Sequence, residues 1–390
     1  MSAILIYSYM EEGFRDGASL STFSLVTEFL KIGHRVTLVT CGPEISSDYG
    51  LSQYSNFTQK RFQSLFNHPL EISWPLWSYL QRNIATHDVF LLRGTYSMSA
   101  VLLTWYFTKL NNRLFVNPLG NLPQRVKPTF KTQLKWFLIK IFTSLVTKRL
   151  FSSCKLVICA SEAERCRVIE LNPRSNSAVI ENGVHIPQCF DTYKQSPIYI
   201  DNKYAIFLGR ISPEKNIEFL ISLWSRNFNT AKSLQLHIYG DASEGHMAYY
   251  DSLKQKVYDC GLTEQVSFKG PVEGDAKWRA LCSAQVLLLP SQFESFGNVV
   301  PEALAAGVPV IVTESSCWSR LEPYELGSCL PLIEENWSMA IAKWSCLAPE
   351  FRNNFRAKAL SYVQHHHSWE QVANKYNAIF QQDYEDLSHV

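Results

Sequence analysis

Residues 289–310 read LPSQFESFGNVVPEALAAGVPV. The apolar residues that lead into this stretch predict a buried strand, and a loop containing Gly297 follows before a short helix. Pro301 suits the first turn of that helix, where its missing N–H costs little, and Gly307 suits the helix end. A new strand begins at Pro309. Strand, loop, helix and strand in this order are typical of a parallel α/β sheet.

The same alternation of short apolar runs with helical periodicity extends along the chain. The candidate strands of the first half are Ala3–Tyr9, Val36–Thr40, Asp88–Arg93, Leu114–Asn117, Leu156–Ala160 and Ala178–Glu181. Those of the second half are Tyr204–Leu208, Gln235–Tyr239, Val266–Lys269, Gln285–Leu289, Pro309–Val312 and Ser328–Pro331. Stretches with 3.6-residue periodicity separate them, as at Leu20–Lys31 and Ile217–Ser225. The pattern predicts an α/β protein with two Rossmann-like domains and parallel sheets.

The junction between the two blocks is expected near residues 184–202, a polar stretch that contains proline. We therefore expect one domain over residues 1–188 and a second over residues 189–367. Residues His365–His367 are expected to form a solvated connection. Ser368 is then the expected N-cap of a last helix.

Composition bounds the class of protein and its compartment. The chain has 390 residues, 46% of them hydrophobic and 18% charged, with a formal net charge of +2. This balance excludes a disordered tail, a collagen-like chain and a small disulfide scaffold. The ten cysteines are scattered without the paired spacing of a zinc site, which favours a reducing compartment. Since neither a signal peptide nor a run of ~20 apolar residues occurs, we expect a cytoplasmic protein without a spanning helix.

Charge is distributed unevenly along the chain. Residues 89–161 contain no Asp or Glu but eleven Lys and Arg, namely Arg93, Lys109, Arg113, Arg125, Lys127, Lys131, Lys135, Lys140, Lys148, Arg149 and Lys155. Apolar residues recur there at helical spacing, namely Leu134, Phe137, Leu138, Ile141, Phe142 and Leu145. They predict an amphipathic helix that either buries its stripe in a core or lies on an anionic membrane surface. We expect a peripheral membrane contact through residues 124–150 and no nucleic-acid partner, since no DNA- or RNA-binding motif occurs.

Two motifs of the second block place charged groups directly after predicted strands. Gly209 and Arg210 follow one strand, and Lys215 comes five residues after Arg210. Gly240 and Asp241 follow the next strand. Because ligands of doubly wound sheets bind at the carboxyl ends of strands, the two cations are expected to reach a phosphate there.

The loop quoted first predicts a complementary site. The backbone N–H groups of Phe296, Gly297 and Asn298 are expected to point out of the helix N-terminus, where they favour an anion. Glu294 and Glu302 flank these groups, and carboxylates repel phosphate. The two carboxylates are therefore expected to accept hydrogen bonds from sugar and ribose hydroxyls.

In this order and spacing, the motifs resemble those of the retaining glycosyltransferases of family 4, which have the GT-B fold. The resemblance is carried by Glu294 and Glu302 as a Glu-x7-Glu pair around Phe296 and Gly297, by Arg210 and Lys215, and by Asn182–Val184, Leu289–Ser291 and Ser368–Glu370. It is dense over residues 156–385. It implies two Rossmann-like domains that face a central cleft, an N-terminal one for the acceptor and a C-terminal one for the donor. It also implies that a C-terminal helix over residues 368–390 packs back on the N-terminal domain.

The resemblance further implies a role for each motif residue. The implied catalytic residues are Glu294, Arg210 and Lys215, and the implied donor-binding residues are Gly209, Gly240, Asp241, Ser295, Phe296, Gly297, Asn298, Glu302 and Gly17. The two cations would hold the diphosphate of a nucleotide sugar, helped by the amides of Phe296 and Gly297. Glu294 would contact hydroxyls of the donor sugar, and Glu302 would bind the ribose. The family needs no metal or other cofactor, and its retention is described as front-face attack by the acceptor hydroxyl, so we assign no enzyme nucleophile.

The N-terminal block departs from the family pattern at two places. Many members have a Gly pair after the first strand, whereas Glu11–Ala18 read EEGFRDGA here, and Gly17 is the candidate for that role. Many members carry a His-Gly step at a later strand, whereas Asn117–Gly120 read NPLG here. No acceptor-side residue is therefore assigned.

From these features we expect a retaining, metal-independent hexosyltransferase. It would move a hexose from a UDP- or GDP-sugar to a glycan or polyprenyl-linked acceptor during surface polysaccharide or lipopolysaccharide biosynthesis, at the inner face of the plasma membrane. Two alternatives stay open at this point. One is another GT-B nucleotide-sugar enzyme, such as an epimerase or a phosphorylase, and the other is a non-catalytic GT-B assembly subunit.

Overall fold

The protein was analysed as a computed structural model, which describes residues 2–9, 17–41, 50–64, 73–94, 114–120, 147–186, 204–226, 234–242, 244–347 and 349–381. The chain divides into two compact units. Unit 1 comprises Met1–Gly183 together with Trp369–Val390, and unit 2 comprises Val184–Ser368. The assignment of one unit to the acceptor and the other to the donor stays a prediction.

Strands and helices alternate through both units. The strands of the described residues are β1 (Ala3–Tyr9), β2 (Arg35–Cys41), β3 (Phe57–Phe62), β4 (Val89–Arg93), β5 (Leu114–Asn117), β6 (Leu156–Cys159), β7 (Ser177–Val179), β8 (Tyr204–Leu208), β9 (Gln235–Tyr239), β10 (Val266–Gly270), β11 (Val286–Leu289), β12 (Val310–Thr313) and β13 (Gly327–Leu330). The helices used below are α1 (Gly17–Lys31), α2 (Trp74–Asn83), α3 (Glu162–Leu171), α4 (Ile217–Arg226), α5 (Met247–Asp259), α6 (Gly274–Cys282), α7 (Val299–Ala305), α8 (Glu334–Ser345), α9 (Pro349–His366) and α10 (Trp369–Gln381). Residues 147–153 are also helical.

Unit 1 is built on a seven-stranded sheet in the order β3-β2-β1-β4-β5-β6-β7, and every neighbouring pair is parallel. The order reverses between β1 and β4, because the chain extends the sheet first on one side of β1 and then on the other. Strands β4 and β5 are buried along their full length. This burial on both faces explains why their sequences are continuous apolar runs rather than alternating ones.

Apolar helix faces cover both sides of the unit 1 sheet. On one side, Phe29 of α1 packs against Tyr376 and Phe380 of α10. On the other side, Leu76 and Leu80 of α2 pack into a second core cluster. The C-terminal helix α10 is therefore part of the core of unit 1, and the predicted return of the last helix to the N-terminal unit is confirmed.

Unit 2 is built on a six-stranded parallel sheet in the order β10-β9-β8-β11-β12-β13. Its strand order reverses between β8 and β11. Helix α4 covers the sheet with a buried stripe that includes Leu220, Ile221 and Trp224, and α8 contributes the fully buried Trp337. Both units therefore have the parallel α/β architecture that the sequence predicts.

Twelve of the thirteen strands agree with the predicted ones, and their ends differ by at most two residues. The strand that the sequence analysis missed is β3, which reads FTQKRF and lies at the edge of its sheet. An edge strand is exposed along one side and its residues here are half-buried or exposed, so it lacks the apolar run that marked the other strands.

The expected solvated connection at His365–His367 is wrong for its last residue. Helix α9 continues to His366, and the first two histidines are exposed, but His367 is fully buried. The ring centroid of His367 lies 5.7 Å from that of Phe296 and 5.3 Å from that of Trp318. Aromatic side chains that are distant in sequence thus enclose the imidazole.

Gly183 gives a direct test of how α10 packs in unit 1. A Cβ atom on Gly183 would lie 2.6 Å from Cδ2 of the buried Trp369. The Gly183→Ala variant should lower the free energy of unfolding by about 1–3 kcal/mol, because overpacking forces the indole or the backbone to shift. The Gly245→Ala variant is the control, since a Cβ there meets no atom within 4 Å. Scanning calorimetry should show a lower melting temperature for Gly183→Ala alone, and equal melting temperatures would contradict the packing.

Candidate functional site

The site predicted in the second block lies in unit 2, where the strand order reverses. Strand β8 ends at Leu208 and β11 ends at Leu289, and the two strands are neighbours in the sheet. Their carboxyl ends therefore lie side by side. The loops that follow, residues 209–216 and 290–298, carry the Arg–Lys motif and the first motif carboxylate, and the fold brings these loops together.

Backbone and side-chain hydrogen bonds join these two loops. The N–H of Gln292 donates to the carbonyl of Glu214 over 2.8 Å. Nδ2 of Asn216 donates to the carbonyl of Pro290 over 3.4 Å. Asn216 takes a left-handed conformation with φ of 53°, which asparagine tolerates better than most residues. This turn ends the first loop and lets α4 begin at the next residue.

A nearly buried ion pair forms the centre of the site. Nζ of Lys215 lies 2.6 Å from Oε2 of Glu294, and the two side chains are only 13% and 10% exposed. Such a charge-assisted hydrogen bond fixes both side chains in a place with little water. A phosphate that binds Lys215 must therefore share the ammonium with Glu294 or displace the carboxylate.

Arg210 is exposed, in contrast to Lys215. Its side chain is 77% exposed, and its Nη2 lies 3.8 Å from Oε1 of Glu214, too far for a hydrogen bond. Burial opposes the charge of Glu214, yet the neighbouring polar groups and the cations Arg210 and Lys215 hold the pKa of that carboxyl below its ordinary value. The exposed guanidinium can rotate toward a ligand while the ionised Glu214 stays beside it.

Gly240 supports the loop after β8 from the neighbouring strand end. A Cβ on Gly240 would lie 1.8 Å from the carbonyl oxygen of Gly209, so only glycine fits this close backbone approach. The N–H of Ile211 donates to the carbonyl of Asp241 over 2.9 Å. The structure thus gives Gly209 and Gly240 a packing role, and the contact of Gly240 and Asp241 with a nucleotide stays a prediction.

The loop before α7 is held by its own packing. Gly297 has φ of 78°, and a Cβ there would lie 2.9 Å from Cγ of Glu294, so glycine allows the chain to turn close to this carboxylate. Phe296 is fully buried, and its carbonyl accepts a hydrogen bond from Nε1 of Trp318 over 2.5 Å. The position of the Glu294 side chain therefore depends on residues outside the motif.

The predicted helix start is confirmed, because α7 begins at Val299 immediately after Asn298. Ser295 and Asn298 are half-buried. The helix ends at Ala305, and Gly307 follows in a left-handed conformation with φ of 74°, as its predicted role at the helix end requires. The donor contacts of the loop residues stay predictions.

Glu302 has a cationic partner that the sequence analysis missed. Nζ of Lys277 on α6 lies 2.8 Å from Oε1 of Glu302 on α7, and both side chains are 20% exposed. The two residues stand on different helices, so no local pattern in the sequence indicates the pair. The fold alone brings them together.

The remaining predicted features belong to unit 1 or lie outside the described residues. Gly17 is the first residue of α1 in unit 1, so it belongs to a different unit from the other predicted site residues. The loop before it, residues 10–16, and the predicted amphipathic helix, residues 134–145, lie outside the described residues. Asn117, which stands where many family members have the His-Gly step, is buried and donates to the hydroxyl of Tyr376 over 3.1 Å.

The described residues meet the requirements of neither a metal site nor a membrane-spanning helix. Within the described ranges, no group of three or more His, Cys, Asp or Glu side chains is arranged to hold a metal ion. None of the helices in the described part of the chain combines the length and the hydropathy that crossing a membrane requires.

Comparison with known sequence families covers both units. The family described as Glycosyltransferase Family 4 matches residues 15–187, and the family described as Glycosyl transferases group 1 matches residues 191–320. The second match includes the Arg–Lys motif and both motif carboxylates. The chain belongs to the group 1 glycosyltransferases. The predicted family is thus confirmed on both halves of the chain.

Individual relatives of this group 1 glycosyltransferase are distant. An uncharacterized glycosyltransferase of Methanocaldococcus jannaschii is 27% identical over 58% of this chain and 59% of its own length. The lipopolysaccharide 1,2-N-acetylglucosaminetransferase of Salmonella typhimurium is 26% identical over 56% of this chain and 60% of its own length. The match covers less than two thirds of either relative. The Anabaena protein HepE, solved in complex with UDP and glucose, covers 97% of this chain and 99% of its own with a TM-score of 0.72 and 16% identity, which confirms the GT-B fold.

The ion pair at the centre of the site can be tested by a double-mutant cycle. Lys215→Met and Glu294→Gln should each destabilise the protein, because each leaves the partner's charge in a place with little water. Urea unfolding of the two single variants and the double variant should give a coupling energy of about 1–3 kcal/mol, as for contacting residues of one network.

The control cycle uses the pair Lys358–Glu325, whose N–O distance of 2.7 Å is similar but whose side chains are 46% and 80% exposed. Solvent screens such a pair, so its coupling should not exceed experimental error. A Lys215–Glu294 coupling no larger than that of the control would contradict a strong, nearly buried ion pair.

Proposed function

We propose that this protein is a retaining glycosyltransferase that moves a hexose from a nucleotide diphosphate sugar to a glycan or lipid-linked acceptor. The observation that carries the proposal is the convergence of Arg210, Lys215 and Glu294 at the carboxyl ends of β8 and β11, with Lys215 and Glu294 2.6 Å apart. Two cations beside a carboxylate suit a ligand that combines a diphosphate with hydroxyl groups. Membership of the group 1 glycosyltransferases supports the same function.

The cations match the charge that develops during transfer. When the bond between the sugar and the phosphate breaks, negative charge grows on the departing diphosphate, and fixed cations there lower the barrier. Lys215 is already fixed by Glu294, whereas the exposed Arg210 moves in when the donor binds. We propose that these two cations take the part that a metal ion takes in metal-assisted transfer, so that the reaction proceeds in the presence of EDTA.

The two motif carboxylates are suited to hold the hydroxyl groups of the donor. Glu294 uses Oε2 toward Lys215 and Glu302 uses Oε1 toward Lys277. An ionised carboxylate can accept about four hydrogen bonds over its two oxygens, so each retains acceptor capacity on its second oxygen. Glu294 then accepts a hydrogen bond from a donor-sugar hydroxyl, and Glu302 accepts one from the ribose.

The anomeric configuration is retained because the acceptor hydroxyl attacks the anomeric carbon from the same face that the diphosphate leaves. The acceptor hydroxyl oxygen forms the new bond to the anomeric carbon while the bond to the phosphate oxygen breaks, and that phosphate oxygen takes the hydroxyl proton. No enzyme nucleophile is assigned to this step. NMR of the product made from an α-linked donor should show an α linkage, and a β linkage would contradict retention.

The acceptor and the donor are inferred from named relatives. The Salmonella relative is a lipopolysaccharide N-acetylglucosaminetransferase, and this similarity supports surface polysaccharide or lipopolysaccharide assembly for this chain. HepE was solved with UDP and glucose, which supports a UDP-hexose as the first donor to test beside GDP-hexoses. We propose a glycan or polyprenyl-linked acceptor, because surface polysaccharides are assembled on acceptors of these two kinds.

The decisive experiment measures the melting temperature against a panel of UDP-, GDP- and ADP-sugars, with and without magnesium. A ligand at ~100 times its Kd stabilises the folded protein by ~2.7 kcal/mol, which corresponds to a shift of a few degrees. A shift with the sugars of one base, equal with and without magnesium, would support the proposed donor class. No shift with any nucleotide sugar would contradict a donor site in unit 2.

Turnover then tests the proposed role of Arg210. The Arg210→Ala variant should lose about 10² or more in kcat, as when one preorganised charge-stabilising donor is removed. Arg226→Ala is the control, because this arginine is exposed on α4 and pairs with Glu334. A loss below tenfold for Arg210→Ala would show that Arg210 does not contact the diphosphate.

The products of the reaction separate the enzyme from its alternatives. Nucleoside diphosphate release without glycan extension would favour an epimerase or a phosphorylase, and complex assembly without turnover would favour a non-catalytic subunit.

We further propose that unit 1 contacts an anionic membrane surface through residues 124–150. The one-sided charge of that stretch supports this contact, and its described end adds the exposed cations Lys148 and Arg149, which line a groove together with Arg174. Binding to vesicles that contain anionic lipid should occur at low salt and be lost at high salt, because salt screens exposed charges. Equal absence of binding at both salt concentrations would contradict the contact.

A further inference from the structure

Unit 1 has its own reversal of strand order, and a cation stands at it. Arg93 is the last residue of β4 and pairs in register with Ser8 of β1 on one side and Asn117 of β5 on the other. The carboxyl ends at such a reversal are the place where doubly wound sheets bind ligands. The sequence analysis placed Arg93 at the end of a predicted strand and in the basic stretch, but assigned it no role.

The guanidinium is almost fully buried, and its partners among the described residues are all neutral. Arg93 is 3% exposed, and its Nε and Nη2 donate to the hydroxyls of Thr22 and Ser21 over 2.9 and 2.8 Å. The hydroxyl of Tyr376 lies beside it. No carboxylate of the described residues lies within ion-pair distance of the guanidinium. A buried cation without an anion is costly, so this environment is incomplete.

Two neighbouring groups that could have balanced the charge do not do so. Burial raises the pKa of Tyr376 above its ordinary value, so its phenol is neutral. Glu164, the buried carboxylate near that phenol, instead accepts hydrogen bonds from the N–H groups of Ala160 and Gly120, each over 2.7 Å. The charge of Arg93 therefore has no intramolecular counter-ion among the described residues.

A second, independent observation lies on the adjacent strand end. Asn117 is 1% exposed, and its Nδ2 donates to the carbonyl of Ile158 over 2.8 Å and to the hydroxyl of Tyr376 over 3.1 Å. Its Oδ1 is buried and has no hydrogen-bond partner. Buried acceptors in folded proteins are almost always satisfied, so a donor is missing here. A buried water would satisfy Oδ1 but would not balance the charge of Arg93.

We propose that the carboxyl ends of β4 and β5 form an anion site of unit 1, in which Arg93 binds a phosphate oxygen and Asn117 accepts a hydrogen bond from a hydroxyl of the same ligand. The ligand class is a phosphate ester that carries a free O–H group. Free sugar phosphates and lipid-linked sugar phosphates both have this chemistry. The anion site is inferred from the geometry of unit 1 alone. Only the identification of its ligand as the acceptor rests on the proposed function.

The test is a calorimetric titration of the full chain with inorganic phosphate. The wild type should bind phosphate, and the Arg93→Gln variant should bind it about tenfold or more weakly, the loss expected for hydrogen bonds to charged groups. A Ser21→Asp variant should also lose binding, because it places a carboxylate next to Nη2 and supplies the missing counter-ion. Ser24→Asp, which places the same charge farther along α1, is the matched control and should bind like the wild type.

A further variant separates this site from the donor site of unit 2. Arg210→Ala combined with Lys215→Ala removes the proposed diphosphate cations and should leave phosphate binding by unit 1 in place. Phosphate binding that disappears in this variant but survives in Arg93→Gln and Ser21→Asp would overturn the inference, as would a wild type that binds no phosphate. Should Arg93→Gln fail to fold, Ser21→Asp against Ser24→Asp still decides the outcome.

Two larger probes distinguish the source of the phosphate. Mannose 6-phosphate and mannosyl phosphogeraniol, in which a phosphate joins mannose to a lipid, are titrated into the wild type and the Ser21→Asp variant. Tighter binding of mannose 6-phosphate would indicate a free sugar phosphate, and tighter binding of mannosyl phosphogeraniol would indicate a lipid-linked sugar phosphate. Loss of nucleotide-sugar binding on its own would contradict the proposed function and leave the anion site untouched, so the two failures are distinguishable.

Discussion

The chemistry of this molecule depends on one constraint, which is that a parallel sheet buried on both faces can be functional only at its ends. Helices cover β4, β5, β8 and β11, and every residue of these strands is buried. Side chains within such strands are therefore committed to packing. Where the strand order reverses, two neighbouring strand ends are followed by loops that diverge, and polar groups can gather between them. The ion pair of unit 2 and the buried cation of unit 1 both stand at such a reversal.

Lys215 and Arg93 each stand near the reversal of strand order in their own sheet, but their charges are compensated differently. Lys215 has a carboxylate at 2.6 Å, so its ammonium is compensated before any ligand arrives. Arg93 has two hydroxyls at 2.8 and 2.9 Å, which orient the guanidinium but do not neutralise it. A ligand phosphate would have to compete with Glu294 in unit 2, whereas in unit 1 it would supply the counter-ion that Arg93 lacks among the described residues. Unit 1 should accordingly bind a simple anion such as inorganic phosphate more tightly than unit 2, although the family motifs lie in unit 2.

The sequence was sufficient to predict most strands and the position of the motif residues, because both are local properties. An apolar run predicts a buried strand, and a glycine followed by a cation predicts where that strand ends. The features that escaped prediction depend on tertiary structure. Lys277 meets Glu302 only because α6 and α7 are packed side by side, and His367 is buried only because distant aromatic rings enclose it. The burial of Arg93 was equally unexpected, since a cation at the end of a predicted strand is usually exposed, and the packing of α1 and α10 covers this one.

The residues that hold loop 290–298 lie 22 or 24 positions after their partners in the sequence. Substitutions there should therefore alter the position of Glu294 without touching the motif itself. The carbonyl of Ser291 accepts hydrogen bonds from Thr313 and Ser315 over 2.6 and 3.1 Å, and the carbonyl of Phe296 accepts one from Trp318. Both anchors bracket Glu294, so the loop that carries its carboxylate is held from two sides by the last residue of β12 and the segment that follows it. A preorganised charge lowers a barrier only if its surroundings do not have to move during the reaction. The proposed role of Glu294 would therefore depend on Thr313, Ser315 and Trp318, although none of these three residues carries a family motif or a charge.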